Sequence, residues 1–197
     1  MQDKISSRLR RTGAAVILLL AMNESAWAFD CPGSSLLEWI KTTCGHFNDA
    51  VDRGENNLML PFYSHHGRGT YTAEKISTYN EHTRGIGYER SITDTKGDWH
   101  GFFAIAFSDS HFKPEYAAGY NYQTYWGDSG SLQAGLGYQV FVTTRSDYDH
   151  YLTPVPGLLP MASLRYRSFS LMATYVPRLS ANGGNGDVLF MFARIGF

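Results

Sequence analysis

The stretch Asp187-Val-Leu-Phe-Met-Phe-Ala-Arg-Ile-Gly-Phe197 alternates with a period of two. Leu189, Met191, Ala193, Ile195 and Phe197 share one face, and all are apolar. Ser131 to Thr143 repeats the pattern, with Leu132, Ala134, Leu136, Tyr138, Val140 and Val142 on one face. The other face carries Ser131, Gln133, Gly135, Gly137, Gln139 and Thr143, with Phe141 the exception. Alternation over about ten residues suits a strand crossing a bilayer, because a closed barrel pairs every backbone group internally.

An aromatic residue directly after such a strand, here Phe197, is typical of bacterial outer-membrane barrels, and the other end of the chain agrees. Lys4, Arg8, Arg10 and Arg11 precede a nine-residue apolar run, Ala14 to Met22, and Ala26-Trp27-Ala28 has the small-x-small form of a signal-peptidase site. That run is too short for a membrane helix, which needs about 20 residues. The expected organisation is a signal peptide over 1–28, an N-terminal segment with an amphipathic helix over 29–55, and a barrel over 56–197. No other run is apolar enough for a helical span, so membrane residence must come from strands.

The leader takes four of the 17 Lys/Arg and two of the 18 Asp/Glu, leaving 13 bases and 16 acids in the rest. No basic stripe points to nucleic acid. Ser35-Leu36-Leu37-Glu38 has capping-box form, and Leu36, Ile40, Cys44, Phe47 and Val51 follow at helical spacing beside Trp39. This predicts a helix over about 35–51, a clamp on the membrane face or, alternatively, a lipid-recognition element. A Cys31–Cys44 disulfide would require the segment before the helix to fold back, and the sequence leaves it open. Asp30 before Cys31 does not fit a lipoprotein cleavage site.

Eight antiparallel strands are expected, at about 60–70, 84–93, 97–108, 115–126, 131–144, 156–166, 168–177 and 187–197. The connections near Thr93–Gly97, Gly127–Gly130 and Arg167 are tight, while 71–83, 109–114, 145–155 and 178–186 are mostly longer. Short periplasmic turns and long outer loops set the orientation. Trp99 and Trp126 are then expected in the aromatic belt at the periplasmic rim.

With that topology, His65-His66 and Asp109-Ser110 fall at the outer rim. A base, a hydroxyl and a carboxylate are the groups used in acyl transfer. His65, of opposite parity to His66, should point away from it and is read as structural.

The sequence resembles the lipid A palmitoyltransferases of the outer membrane, the PagP family, over most of the chain after the leader. The resembling blocks are Pro61 with His66-Gly67-Arg68, Lys75 with Tyr79-Asn80-Glu81, Gly97-Asp98-Trp99-His100-Gly101, Ala106-Phe107-Ser108-Asp109-Ser110, Ala118-Gly119-Tyr120, Leu158 to Ser163, and Thr174-Tyr175-Val176-Pro177. The resemblance implies an eight-stranded barrel behind a periplasmic helix. It also implies transfer of an acyl chain from a glycerophospholipid to a hydroxyl on lipid A, without metal or cofactor.

Carried over residue by residue, the catalytic set is His66, Asp109 and Ser110. His66 would be the general base, and Ser110 a nucleophile or a polar stabiliser. Asp109 would orient the imidazole or support its charged form. Lys75 matches a position linked to lipopolysaccharide recognition. His82 and Arg84 are further candidates on charge alone. Pro61, Pro160 and Pro177 match prolines flanking lateral gates in the barrel wall, where a missing N–H loosens the ladder. Thr83 stands where the family often has another proline. Asn121 aligns with the glycine at the floor of the acyl pocket, which implies a chain shorter than palmitate or a floor repacked elsewhere.

The expected partners are the phospholipid donor, lipid A and the outer-membrane bilayer, with a monomer or weak homodimer as the assembly. Two rivals predict other chemistry. A non-catalytic barrel with a structural or adhesive role would not depend on His66, Asp109 or Ser110. A soluble ligand-binding barrel would have a polar exterior.

Overall fold

Eight antiparallel strands follow one another in chain order around a closed barrel: β1 (Glu55–His66), β2 (Gly85–Thr93), β3 (Trp99–Ser108), β4 (Pro114–Trp126), β5 (Leu132–Thr144), β6 (Pro154–Tyr166), β7 (Phe169–Val176) and β8 (Val188–Gly196). Helix α1 (Glu38–Arg53) precedes β1, and a short helix α2 (Ala73–Ser77) lies in the β1–β2 loop. This computed structural model describes residues 30–31, 38–128, 130–146, 153–178 and 186–197. The expected leader and its cleavage after Ala28 lie outside the described residues, as do the first residues expected for α1. Among the described residues no helix is long and apolar enough to cross a membrane.

The barrel closes where β1 pairs with β8, from Asn57 against Gly196 to His66 against Val188. Closure leaves no free edge. Leu132, Leu136, Val142, Leu158, Leu164 and Leu171 are exposed on the outer wall, as the alternation of β5 requires of a lipid-facing surface.

The interior divides along the barrel axis. Toward the end bearing the long loops it holds Ile105, Phe107, Phe141 and Phe190, joined below by Met59, Met161, Met172 and Phe192. Toward the end bearing α1 it turns polar. Glu89, Asn121 and Gln123 are fully buried there, and Arg194 nearly so. Asn121 Nδ2 donates to Glu89 Oε2 at 3.1 Å, and Arg194 Nη2 donates to Ser170 Oγ at 2.9 Å. Arg194 Nη1 stands 3.7 Å from Glu89 Oε1, an ion pair too long for a hydrogen bond. Gly101 makes room for this layer, since a Cβ there would lie 2.6 Å from both Glu89 Oε2 and the Trp99 ring.

Two expectations fail here. Trp126 is exposed as a belt residue should be, but Trp99 is 2% exposed and lies inside the barrel with Arg194 4.2 Å from its ring centroid. Trp99 has the parity of Gly101, Phe103 and Ile105, so it points into the lumen. β1 also begins at Glu55 rather than about 60. Its first inward residue, Asn57, is polar and donates to Ser91 Oγ at 2.8 Å, which hides the alternation.

Helix α1 docks on the outer wall of β2 and β3. Arg90 donates to the carbonyls of Ala50 and Val51 at 3.0 and 2.8 Å, in the last turn of the helix, where the Ala50 carbonyl also accepts the Gly54 N–H at 2.9 Å. Phe47 meets Phe102 edge-on at 5.1 Å. The question of the cysteines is resolved: Cys31 and Cys44 form a disulfide, with Cα atoms 5.8 Å apart.

Candidate active site

β1 carries its histidine inward by means of a bulge. In its first half the odd residues Asn57 and Met59 are buried, but past the irregularity between Pro61 and Tyr63 the even residues Ser64 and His66 are buried instead. Phe62 is the extra residue, exposed on the wall. His66 is 1% exposed and His65 more so, as their opposite parity requires.

The His66 ring packs against Tyr71 and Tyr79, with centroids 5.4 and 4.7 Å away. Its Nε2 lies 2.9 Å from Ser110 Oγ. On the other side Nδ1 is 3.3 Å from Glu81 Oε1, which also accepts the His66 backbone N–H at 3.0 Å. A proton on Nδ1 donated to that carboxylate leaves the Nε2 lone pair to accept the Ser110 hydroxyl. Arg68 grips Glu81 through both guanidinium nitrogens, at 2.5 and 2.7 Å. The Arg68 hydrogen bonds hold the Glu81 carboxyl far below the usual carboxylate range, helped by those from His66, although burial opposes them.

Asp109 is expected to orient the imidazole or support its charged form, but the carboxylate in contact with His66 Nδ1 is that of Glu81. Asp109 organises the β3–β4 turn instead. Its Oδ1 accepts the backbone N–H groups of His111 and Lys113 at 2.8 and 2.7 Å, and its Oδ2 accepts the Ser146 hydroxyl. These bonds fix the turn that carries its neighbour Ser110. Asn80 ties the β1–β2 loop to this turn, its N–H donating to the Ser110 carbonyl at 2.9 Å and its Nδ2 to Ser108 Oγ at 3.1 Å.

Glu81 and Arg68 were missed by reasoning from residue chemistry. Both sit inside blocks that carried the resemblance, which was the only signal available for them. Glu81 lies in a loop fifteen residues from its histidine, and nothing in strand periodicity joins the two.

Residues 46–194 match the family described as "Antimicrobial peptide resistance and lipid A acylation protein PagP". The chain belongs to the PagP family. A "Lipid A acyltransferase PagP" of Legionella pneumophila (strain Paris) is 40% identical over 95% of this chain and 99% of its own. Proteins of the same name from Methylobacillus flagellatus and Bordetella pertussis (strain CS) are 40% and 41% identical, over 81% and 86% of this chain and 84% and 90% of theirs.

The prolines linked to the PagP gates stand at two interrupted seams. The β1–β2 ladder runs from Glu55 against Ser91 only as far as Met59 against Gly87. Backbone pairing resumes where Ser64 N–H donates to the Glu81 carbonyl at 2.9 Å, so Pro61 lies in the gap. Thr83 bonds across this seam to Ser64, hydroxyl to hydroxyl at 2.6 Å. The β6–β7 ladder stops at Met161 against Thr174. Pro160 adjoins that point, its carbonyl taking the Thr174 hydroxyl at 2.9 Å, and Pro177 follows the end of β7. Lys75 is in α2, its Nζ 5.7 Å from the centroid of Tyr71, the ring that packs on His66. Asn121 is fully buried in the polar layer.

Proposed function

We propose that this protein is an outer-membrane acyltransferase that moves a fatty acyl chain, of palmitoyl type or shorter, from a glycerophospholipid to a hydroxyl on lipid A. Its site faces the outer leaflet. The observation that carries this reading is the contact of His66 Nε2 with Ser110 Oγ at 2.9 Å, with a carboxylate against the opposite ring nitrogen. Lipid A as the acceptor class comes from the relatives, which are named lipid A acyltransferases.

His66 Nε2 takes the proton of a hydroxyl as that oxygen attacks the ester carbonyl of the donor. Glu81 steadies the imidazolium that results. Collapse of the tetrahedral species breaks the ester C–O bond, and the imidazolium returns the proton to the departing glycerol oxygen. The step balances with two lipids and no cofactor. Ser110 supports two routes through the same nitrogen. In one its own hydroxyl attacks first and carries the acyl group. In the other it stabilises the site while the acceptor hydroxyl attacks directly. A hydroxylamine-labile acyl adduct on Ser110 distinguishes them.

The seams at Pro61 and at Pro160 and Pro177 serve as lateral gates, because the lipid tails lie in the bilayer while the reacting atoms lie inside the wall. Lys75 contributes positive charge toward the phosphorylated sugars of the acceptor. The apolar half of the lumen receives the acyl chain, and Asn121 with its polar neighbours forms the floor. The barrel acts as a monomer or weak homodimer.

The test is mass spectrometry of lipid A from cells expressing the wild type, His66→Ala or Ser110→Ala, with barrel folding followed by heat-modifiable gel mobility. Loss of the base is expected to lower transfer by about 10²- to 10⁴-fold. Undiminished acylation by both folded variants overturns the assignment.

A further inference from the structure

His46, Asp94 and His100 meet between α1 and the barrel wall, at the opposite end from the acyl-transfer site. One residue comes from the helix, one from the β2–β3 turn and one from β3. Their ligand-type atoms all lie within 4.8 Å of one another. His100 points outward from β3 beneath α1 and is only 4% exposed. Its ring centroid is 3.7 Å from that of His46, and its Nε2 is 3.5 Å from Asp94 Oδ2.

We propose that these three side chains bind a divalent transition-metal cation of the zinc class, which staples α1 to the β2–β3 hairpin. Two imidazoles and a carboxylate, with a fourth position open to water, make a donor set suited to zinc. The buried Nε2 of His100 has no hydrogen-bond partner. His100 Nδ1 lies 2.7 Å from the Tyr120 hydroxyl, and a proton donated there leaves the Nε2 lone pair facing Asp94. A lone pair aimed at a carboxylate is repulsive until a proton or a cation stands between them. Asp94 is held in place for that role, its Oδ1 accepting the N–H groups of Lys96 and Asp98 at 2.8 and 2.9 Å while Oδ2 turns to His100.

The charge around the site agrees. Asp49, Glu55, Asp94 and Asp98 line the cavity against Arg53 and Lys96, and Arg53 is paired with Asp49 at 3.1 Å. The cavity is about 820 Å³, with room for a hydrated fourth position. Tetrahedral donors around zinc lie about 3.3 Å apart, a spacing that His100 Nε2 and Asp94 Oδ2 nearly have at 3.5 Å, so the closing movement falls mainly to the third group. His46, on a helix docked from outside, supplies that movement. A cation that binds only the docked arrangement stabilises it by mass action.

The test uses tag-free protein in detergent micelles, stripped with EDTA, dialysed and titrated with zinc sulfate. The expected result is a single equivalent of zinc bound, with a rise in the thermal unfolding midpoint. His46→Gln and Asp94→Asn should each weaken zinc affinity about tenfold or more while the gel mobility of the folded barrel is retained. Cobalt(II) should give tetrahedral d–d absorption in the wild type that zinc displaces, a readout independent of any variant. Failure of the wild type to bind zinc overturns the proposal. So does unchanged affinity in both variants, which would assign the zinc to other histidines.

Discussion

Toward the loop end the barrel encloses Ile105, Phe107, Phe141 and Phe190, whereas toward the helix end it encloses Glu89, Asn121, Gln123 and Arg194. The wall differs in step with its contents. Beside the apolar half the β1–β2 and β6–β7 ladders are interrupted; beside the polar half they run paired from Glu55 to Met59 and from Met161 to Tyr166. An apolar lumen can exchange occupants with lipid through an open seam at little desolvation cost. A buried charged layer cannot, because each polar group there depends on a partner in fixed geometry. One half is therefore suited to admit a hydrocarbon chain, and the other to stop it.

The strongest challenge to that contrast is Arg194→Ala. It removes the cation facing Glu89 and the donor to Ser170, and should lower unfolding free energy in detergent by about 3–5 kcal/mol. Glu89→Leu combined with Arg194→Met should recover most of the loss. A cost no larger than that of a surface substitution would mean the polar half is not held by its charges.

A smaller effect is expected at the loop end, from Glu81→Gln. Losing a charge-assisted hydrogen bond to the imidazole, worth about 1.5–3 kcal/mol, should slow transfer by about tenfold to a hundredfold with folding unchanged. Arg68 holds Glu81 ionised far below the ordinary carboxylate range. Its contribution is therefore complete above about pH 4 and is lost only as pH falls through that depressed value. In the proposed mechanism the acid limb of the pH–rate profile above this range is set by the imidazole base, and Glu81→Gln should move that limb to lower pH. An unmoved limb would remove Glu81 from the mechanism.

The smallest effect per carbon is expected from Asn121→Gly, which opens the boundary between the halves. Each methylene newly accommodated contributes about 0.8 kcal/mol, so donors of graded length should show a preference shifted to longer chains. An unchanged preference would place the floor elsewhere.

The sequence made the lipid-facing side of this barrel readable and the lumen much less so. Apolar alternation in β5 and β8 located those strands to within a residue, because lipid imposes one simple demand on every outward position. The lumen imposes several. Asn57 concealed the start of β1, and Trp99 entered the core although tryptophan beside a turn reads as belt. His66 was recognisable as a candidate from its type and its resemblance, but its inward aim depends on a bulge that no periodicity displays. Glu81 lay inside a resembling block, but its pairing with His66 became visible only in the fold. The three groups at the α1 end are separated by 48 and 6 positions along the chain, so no ligand spacing announced them.

The bulge at Phe62 has one more consequence. It makes β1 a counted ruler whose last mark decides which of two adjacent histidines enters the lumen. Regular pairing of the same residues without the bulge would turn His65 inward in place of His66, whereas deleting Phe62 would remove the irregularity and leave His66 inward. Which imidazole faces the lumen is thus set by how the backbone pairs between Met59 and Ser64, so alignments that slip by one position there would assign the inward place to the wrong histidine.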